Sequence, residues 1–123
     1  KKMVKKGIDT ASSRILVMGL TFKENCPDLR NTRVTDIIAE FTEYGLTVDV
    51  YDPWVNPDEA FREYSIRVVD KLQTDTYGGI VIAVAHHQFA AMSINQLRSL
   101  CKAKSVVYDV KSLFPRDQVD GCL

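Results

Sequence analysis

Side chains that could recognise an anion follow two of the strands that the sequence predicts. Phe22, Lys23 and Arg30 come after the first predicted strand, and Lys111 follows the last. Lysine offers a point charge and arginine a bidentate fork, and both suit the oxygens of a diphosphate. Ligands of open parallel α/β sheets bind outside the carboxyl ends of the strands. The sequence therefore predicts an anion site at that edge of the sheet.

The same residues have a purely structural interpretation. Lys23 taken alone is a solvated surface residue, Phe22 is a core residue, and Arg30 flanks a helix start and pairs with Asp28. Residue types and spacing leave both interpretations open.

Acidic, histidine and cysteine side chains near this edge also admit two kinds of role. Asp52 and Asp109 end predicted strands, where such residues are more often turn formers or caps than functional acids. His86 and His87 serve either as an acid/base or as a polar entry to a helix. Cys26 has no committed base beside it, which argues against a nucleophile.

The usual dinucleotide-binding glycine motif is missing. Gly19 ends the first predicted strand, but no second or third glycine follows in the loop. Asp52 resembles the acid that holds a ribose in such folds, yet it lies 33 residues after Gly19, against a usual spacing of about 20. Binding of NAD in the standard manner is therefore not expected, and side-chain cations would take over the role of the glycines.

The composition excludes several classes of protein. The chain has 123 residues, enough for one domain, and its 16 Lys and Arg balance 16 Asp and Glu. No whole-chain basic field exists to bind nucleic acid. Four of the lysines lie in the first six residues, so the remainder carries 12 positive and 16 negative charges, a net −4. Any anion site must then be made locally by a few cations.

Apolar runs and cysteine usage indicate the compartment. No run approaches the roughly 20 residues that a membrane helix needs, and no signal peptide opens the chain. The three cysteines are an odd number and include no CxxC pair, which favours reduced thiols and argues against a structural zinc site. We expect a cytoplasmic protein that binds no metal, no nucleic acid and no membrane.

Alternating strand and helix patterns must position these residues. Strands are predicted over 14–19, 47–52, 79–85 and 105–110, with a short extended piece over 65–69. Helices are predicted from Thr32 to Gly45, over 58–64, and from Ser93 through Leu100 and Cys101. This alternation predicts a Rossmann-like, three-layer α/β/α sandwich with a mainly parallel sheet.

The stretch GLTFKENCPDLRNT from Gly19 to Thr32 resembles the signature that opens the C-terminal domain of the UDP-glucose/GDP-mannose dehydrogenase family. Three further segments agree in the family's order, namely VYDP at 50–53, HHQF at 86–89 and YDVK at 108–111. The residues of the first motif are similar to those in the branch of the family that oxidises UDP-N-acetylhexosamines for capsular, Vi-type and O-antigen polysaccharides. UDP-glucose dehydrogenases more often have Glu-Ser where this sequence has Asn31-Thr32.

The resemblance implies part of an enzyme that oxidises the C6 hydroxyl of a UDP-sugar to a carboxylate with two NAD+. The family's reaction passes through a thiohemiacetal and a thioester on a cysteine that lies before this domain, as does the NAD-binding GxGxxG domain. By motif position Cys26 is not that cysteine. We therefore expect no catalytic residue in this chain and no catalysis by it alone.

The resemblance also assigns roles to individual residues. Phe22 and Lys23 match the Phe-Lys that contacts the nucleotide sugar, and Lys111 matches a basic position that supports the uridine diphosphate and is often Arg. Arg30 matches an arginine on the NAD side of the cleft. Residues 1–13 would be the tail of the central helix and a linker, and residues 14–123 the UDP-binding domain.

The implied partners are a UDP-sugar, the preceding domains of the same polypeptide and a second copy in a homodimer. The chain begins with Lys1 rather than Met, so we expect it to be cut from a longer protein, about a third of an enzyme. The alternative is a free-standing UDP-sugar-binding or regulatory module without chemistry. A flavodoxin-like phosphoacceptor is disfavoured, because Phe22-Lys23 stands where that class needs a cluster of acids.

Overall fold

A parallel β-sheet organises the chain. The computed structural model describes residues 13–21, 23–30 and 32–122, apart from the side chain of Cys122. Within them the strands are β1 (Arg14–Met18), β2 (Thr47–Tyr51), β3 (Tyr77–Ile82), β4 (Cys101–Asp109) and β5 (Gly121–Cys122). They lie in the order β2-β1-β3-β4-β5 with every neighbouring pair parallel. The chain moves from β1 to one side and then to the other, so a topological switch point lies between β1 and β3.

Helices cover one face of this sheet. Helices α1 (Val34–Glu43) and α2 (Pro57–Tyr64) pack on the side to which Ile15 and Val17 of β1 point. Ala60 of α2 is fully buried there, and Ile38 and Phe41 of α1 pack against the same cluster.

The other face carries the shorter helices α3 (His87–Ala90) and α4 (Ile94–Ser99). Leu16 and Met18, the alternate residues of β1, point to this side because successive strand side chains face opposite ways. They pack with Phe89 of α3 and Leu97 of α4, both fully buried. The predicted three-layer parallel architecture is confirmed.

Several predicted boundaries were wrong. Strand β3 ends at Ile82, not at 85, because the chain leaves the sheet after the bond from the Ala83 N–H to the Met18 carbonyl. The helix after Ser93 stops at Ser99, and Cys101 already begins β4, four residues before the predicted start. The extended piece over 65–69 contributes only a bridge between Val50 and Val68.

Some elements and sites fall outside the sequence predictions or the described residues. Helix α3 and the two-residue strand β5 were not predicted, because both are too short to show a periodicity. The proposed helix tail over 1–13 lies outside the described residues except for Ser13. No helix in the described part is long and apolar enough to cross a bilayer, and no group of three potential metal ligands occurs there.

Candidate functional site

The end of β1 is shaped by a glycine. Gly19 has φ +101°, and its N–H donates to the Tyr51 carbonyl at 2.9 Å. A Cβ built on Gly19 would lie 2.6 Å from Cβ of Val84, so the chain after β3 presses directly on this backbone. Only glycine allows both the positive φ and the close approach. The long loop of residues 20–32 begins here, at the switch point.

Asp52, which follows β2, holds the start of that loop. Its Oδ2 accepts hydrogen bonds from the backbone N–H groups of Leu20 at 2.7 Å and Thr21 at 3.2 Å. Its Oδ1 accepts from the N–H of Trp54 at 2.8 Å. The carboxylate is buried, and both of its oxygens are engaged by the protein. This supports the turn-forming interpretation of Asp52 over a ribose-binding one.

His86, which follows β3, lies against Asp52. The two side chains are fully buried, and Nε2 of His86 is 2.9 Å from Oδ2 of Asp52. On the other side of the ring, Nδ1 accepts the backbone N–H of Asn25 at 2.9 Å. Because Nδ1 is an acceptor, the proton lies on Nε2 and is donated to the carboxylate. The geometry therefore selects the neutral Nε2–H tautomer, with both ring nitrogens bonded to protein groups and the ring fully buried.

Two opposing effects set the pKa of Asp52. Burial raises it, because the charged form loses water. Hydrogen bonds from His86 and from the backbone of Leu20 and Trp54 favour the charged form and outweigh burial, so the pKa lies below its ordinary value. Asp52 is a carboxylate near neutral pH.

The turn after Thr21 is fastened at several points. The Thr21 hydroxyl donates to the Lys23 carbonyl at 2.9 Å. Asn25 adopts a left-handed conformation with φ 57°, and its Oδ1 accepts the backbone N–H of His87 at 2.8 Å. Nδ1 of the His87 ring lies 2.9 Å from the same Oδ1. The backbone that carries Lys23 is thus held on both sides, while its side chain is exposed.

The far end of the loop is anchored in the core. The Thr32 hydroxyl donates to the Leu20 carbonyl at 2.6 Å and accepts the N–H of Val34 at 3.2 Å. The predicted cap at Thr32 is wrong, because α1 begins one residue later: Arg33 occupies the N-cap position and no side chain caps the helix there. The Tyr64 hydroxyl donates to the Leu29 carbonyl at 2.6 Å. Both ends of the loop are fixed to the body of the domain.

The predicted cations are placed at this edge but do not contact each other in any recorded hydrogen bond or ion pair. Lys23 and Lys111 are exposed in turns after β1 and β4, with β3 lying between the two strands. Arg30 is exposed and pairs with Asp28, through Nε at 3.0 Å and Nη2 at 3.1 Å. This hydrogen bonding raises the pKa of Arg30 and lowers that of Asp28. Phe22 lies outside the described residues.

Asp109 shapes the turn that presents Lys111. It is fully buried at the end of β4, and its Oδ2 accepts the Phe114 N–H at 2.8 Å. The cap role expected of a strand-end aspartate is therefore confirmed here. Within the described residues its Oδ1 has no hydrogen-bond partner.

The contact between Asp52 and His86 was not predicted from the sequence, although a signal for it existed. In the sequence both residues directly follow predicted strands, and in the structure those strands flank β1. Knowledge of the strand order would have placed both side chains over the end of β1. The sequence patterns predict strands but not their order, so the two residues were considered separately.

Comparison with known proteins gives the family. Residues 16–116 match the UDP binding domain of the UDP-glucose/GDP-mannose dehydrogenase family. Two proteins named UDP-N-acetyl-D-glucosamine 6-dehydrogenase, from Pseudomonas aeruginosa and Salmonella typhi, are 49% and 45% identical to the chain over 120 residues. The alignment covers 98% of this chain and 28% of each relative, so the chain spans little more than a quarter of their length.

Solved structures share the fold. An NDP-N-acetyl-D-galactosaminuronic acid dehydrogenase from Methanosarcina mazei Go1 superposes with a TM-score of 0.81 at 20% identity, over 94% of this chain and 24% of that one. A UDP-D-ManNAc dehydrogenase from Pyrococcus horikoshii gives 0.74 at 20% identity, over 93% and 25%. The sequence motifs, the parallel sheet and the family match together assign the chain to the UDP-glucose/GDP-mannose dehydrogenase family, as its UDP-binding domain.

Proposed function

We propose that this chain binds the uridine diphosphate part of a UDP-N-acetylhexosamine for an NAD-dependent 6-dehydrogenase of polysaccharide biosynthesis. The observation that carries the proposal lies at the switch point, where Lys23 is exposed while hydrogen bonds hold the backbone around it. The Lys23 carbonyl accepts the Thr21 hydroxyl, and the Asn25 N–H donates to His86. The two relatives with the highest identities quoted above are named for UDP-N-acetyl-D-glucosamine, which supports that class of sugar.

Charge and position give each cation a role in this proposal. Lys23 and Lys111 stand on either side of the end of β3, where two flexible lysine stems reach a common ligand. Each charge-assisted hydrogen bond to a diphosphate contributes on the order of 1.5–3 kcal/mol. Phe22, next to Lys23, would contact the nucleotide sugar.

Arg30 would serve the NAD side of the cleft. Its guanidinium is exposed, and the one ion pair recorded for it is with the carboxylate of Asp28. Because solvent screens an ion pair at the surface, a phosphate can displace this carboxylate at little cost. NAD itself would be held mainly by a preceding domain of the same polypeptide. The complete protein would work as a cytoplasmic homodimer, and this domain would supply binding rather than a catalytic group.

Calorimetric titration of the chain with UDP, UDP-N-acetylglucosamine and NAD+ tests the proposal. We expect binding of UDP and of the UDP-sugar, with no binding of NAD+. Tighter binding of NAD+ than of UDP would overturn the assignment. Binding of UDP with turnover absent in the complete protein would instead favour the free-standing binding module.

A further inference from the structure

We propose that His86 is a positioning residue for the nucleotide sugar: its neutral imidazole holds Thr21 and Asn25, two described residues on either side of Lys23, and so presents Lys23 to the ligand. This inference rests on the proposed function, because the turn matters to a ligand only if Lys23 binds one. His86 is fully buried and does not itself meet the ligand.

The imidazole joins two parts of the site that are otherwise separate. Nδ1 accepts the N–H of Asn25 in the loop, and Nε2–H donates to Asp52 after β2. The Thr21 hydroxyl lies 3.2 Å from the same Nε2. One ring thus connects the two ends of the turn, Thr21 and Asn25, to a fixed carboxylate.

Lys23 lies between these two attachment points. Its carbonyl accepts the Thr21 hydroxyl, and two residues later the Asn25 N–H is bonded to His86. The left-handed φ of Asn25, 57°, costs conformational energy that its hydrogen bonds offset. A turn held in advance lowers the ordering cost of ligand binding.

A second proton on His86 would break this arrangement at one place. Nδ1–H would face the Asn25 N–H, two donors opposed, while Nε2–H would still donate to Asp52. The groups that face the ring are the Asp52 carboxylate, the Thr21 hydroxyl and the rings of Trp54 and Phe89. Asp52 is the one charged group among those recorded contacts, and its bond with Nε2 does not replace the bond of Asn25 to Nδ1.

Two matched substitutions separate the hydrogen bonds from the volume of the ring. His86→Gln supplies an acceptor and a donor on one planar amide and does not titrate, whereas His86→Phe fills the space without either bond. We expect His86→Phe to weaken binding of UDP-N-acetylglucosamine at neutral pH by about tenfold or more, and His86→Gln to restore most of it. Equal affinity of the wild type and a folded His86→Phe would overturn the proposal.

Nitrogen-15 NMR of the ligand-free chain gives a readout that needs no variant to fold. We expect the Nε2–H tautomer for His86, and a scalar coupling across the hydrogen bond from the Asn25 N–H to Nδ1 of the ring. UDP-N-acetylglucosamine is the probe for affinity, because it carries both the diphosphate and the sugar of the proposed ligand. Its affinity is compared at one neutral pH in the wild type, His86→Phe and His86→Gln.

The outcomes distinguish the two proposals. If the chain binds no UDP-sugar while the Asn25 N–H is bonded to Nδ1 of His86, the proposed function fails and the control of the turn by His86 stands. If the chain binds the sugar nucleotide but His86 carries its proton on Nδ1, or the coupling to the Asn25 amide is missing, the positioning role is wrong.

Discussion

Nε2 of His86 lies 2.9 Å from Oδ2 of Asp52, although the two residues are 34 positions apart in the chain. They follow β3 and β2, the two strands that flank β1, and they meet above its carboxyl end. The same carboxylate accepts the N–H groups of Leu20 and Thr21, the first residues of the loop. A single buried charge thus joins three neighbouring strands of the sheet where the loop after β1 begins.

We predict that Asp52→Asn strongly destabilises the domain. Asparagine keeps the shape but offers one acceptor oxygen and a donor amide, so at least one of the N–H groups of Leu20, Thr21 and Trp54 loses its partner. The free energy of unfolding at neutral pH should fall by about 2–4 kcal/mol, measured by urea denaturation.

Asp36→Asn is the matched control for this substitution. Asp36 is exposed and lies 4.0 Å from Arg33, a surface pair that contributes little. The control should change the free energy of unfolding by no more than about 0.5 kcal/mol. Equal effects of the two substitutions would contradict the structural role of the Asp52 carboxylate.

The acid dependence of stability should carry the signature of Asp52. Its pKa is lower in the folded protein than its ordinary value, so the folded state stabilises the ionised form. That stabilisation is fully present above the unfolded pKa of about 3.9 and is lost as the pH falls through the lower folded value. Below about pH 4, the unfolding free energy of Asp52→Asn should fall less steeply with decreasing pH than that of the wild type. The difference in slope is up to about 1.4 kcal/mol per pH unit. Parallel curves for the two proteins would show that other groups control acid unfolding.

The strands and helices with clear patterns could be predicted from the sequence. The nearly all-apolar strand from Arg14 to Met18 and the helix that ends before Gly45 were both predicted, because local residue spacing determines them. The end of β3 could not be predicted from the sequence, because Ala83 and Val84 are as apolar as the strand itself. The chain leaves the sheet there, and Val84 packs closely against Gly19. That boundary depends on tertiary packing rather than on composition.

The site shows the same division between local and long-range information. Motif position singled out Lys23 and Lys111, which are exposed at the expected edge. The residues that hold the loop, Asp52 and His86, are 34 positions apart in the sequence, and their hydrogen bond requires the Nε2–H tautomer of the imidazole. Neither the strand order nor the tautomer can be deduced from residue types.

Removal of either lysine should weaken ligand binding without affecting the fold. Lys23→Ala and Lys111→Ala each delete one charge-assisted contact to the diphosphate, so Kd for UDP should rise roughly 10- to 100-fold. Calorimetry of the chain measures this directly. In the complete protein Lys23→Ala should chiefly raise KM for the UDP-sugar, and unchanged KM and kcat/KM would exclude the role.

Lys102→Ala is the matched control for the two lysines. Lys102 is exposed near the start of β4, at the opposite end of the sheet from the carboxyl edge. The Lys102→Ala substitution removes the same charge from the chain, so any general electrostatic effect on an anionic ligand appears in this variant as well. A loss of UDP affinity as large as that of Lys23→Ala would mean that net charge, not a local site, governs binding.

Gly19 and Gly45 offer a paired test of how tightly the switch point is packed. Both have positive φ, +101° and +81°, so alanine is strained at either position. A Cβ at Gly19 would also lie 2.6 Å from Cβ of Val84 and 2.9 Å from its backbone nitrogen, whereas a Cβ at Gly45 meets nothing within 4 Å. Gly45→Ala should therefore cost about 1 kcal/mol of unfolding free energy, and Gly19→Ala about 3 kcal/mol or more, because backbone must move. Thermal or urea unfolding of both variants measures the difference in unfolding free energy. Equal losses would mean that Val84 does not pack tightly against Gly19.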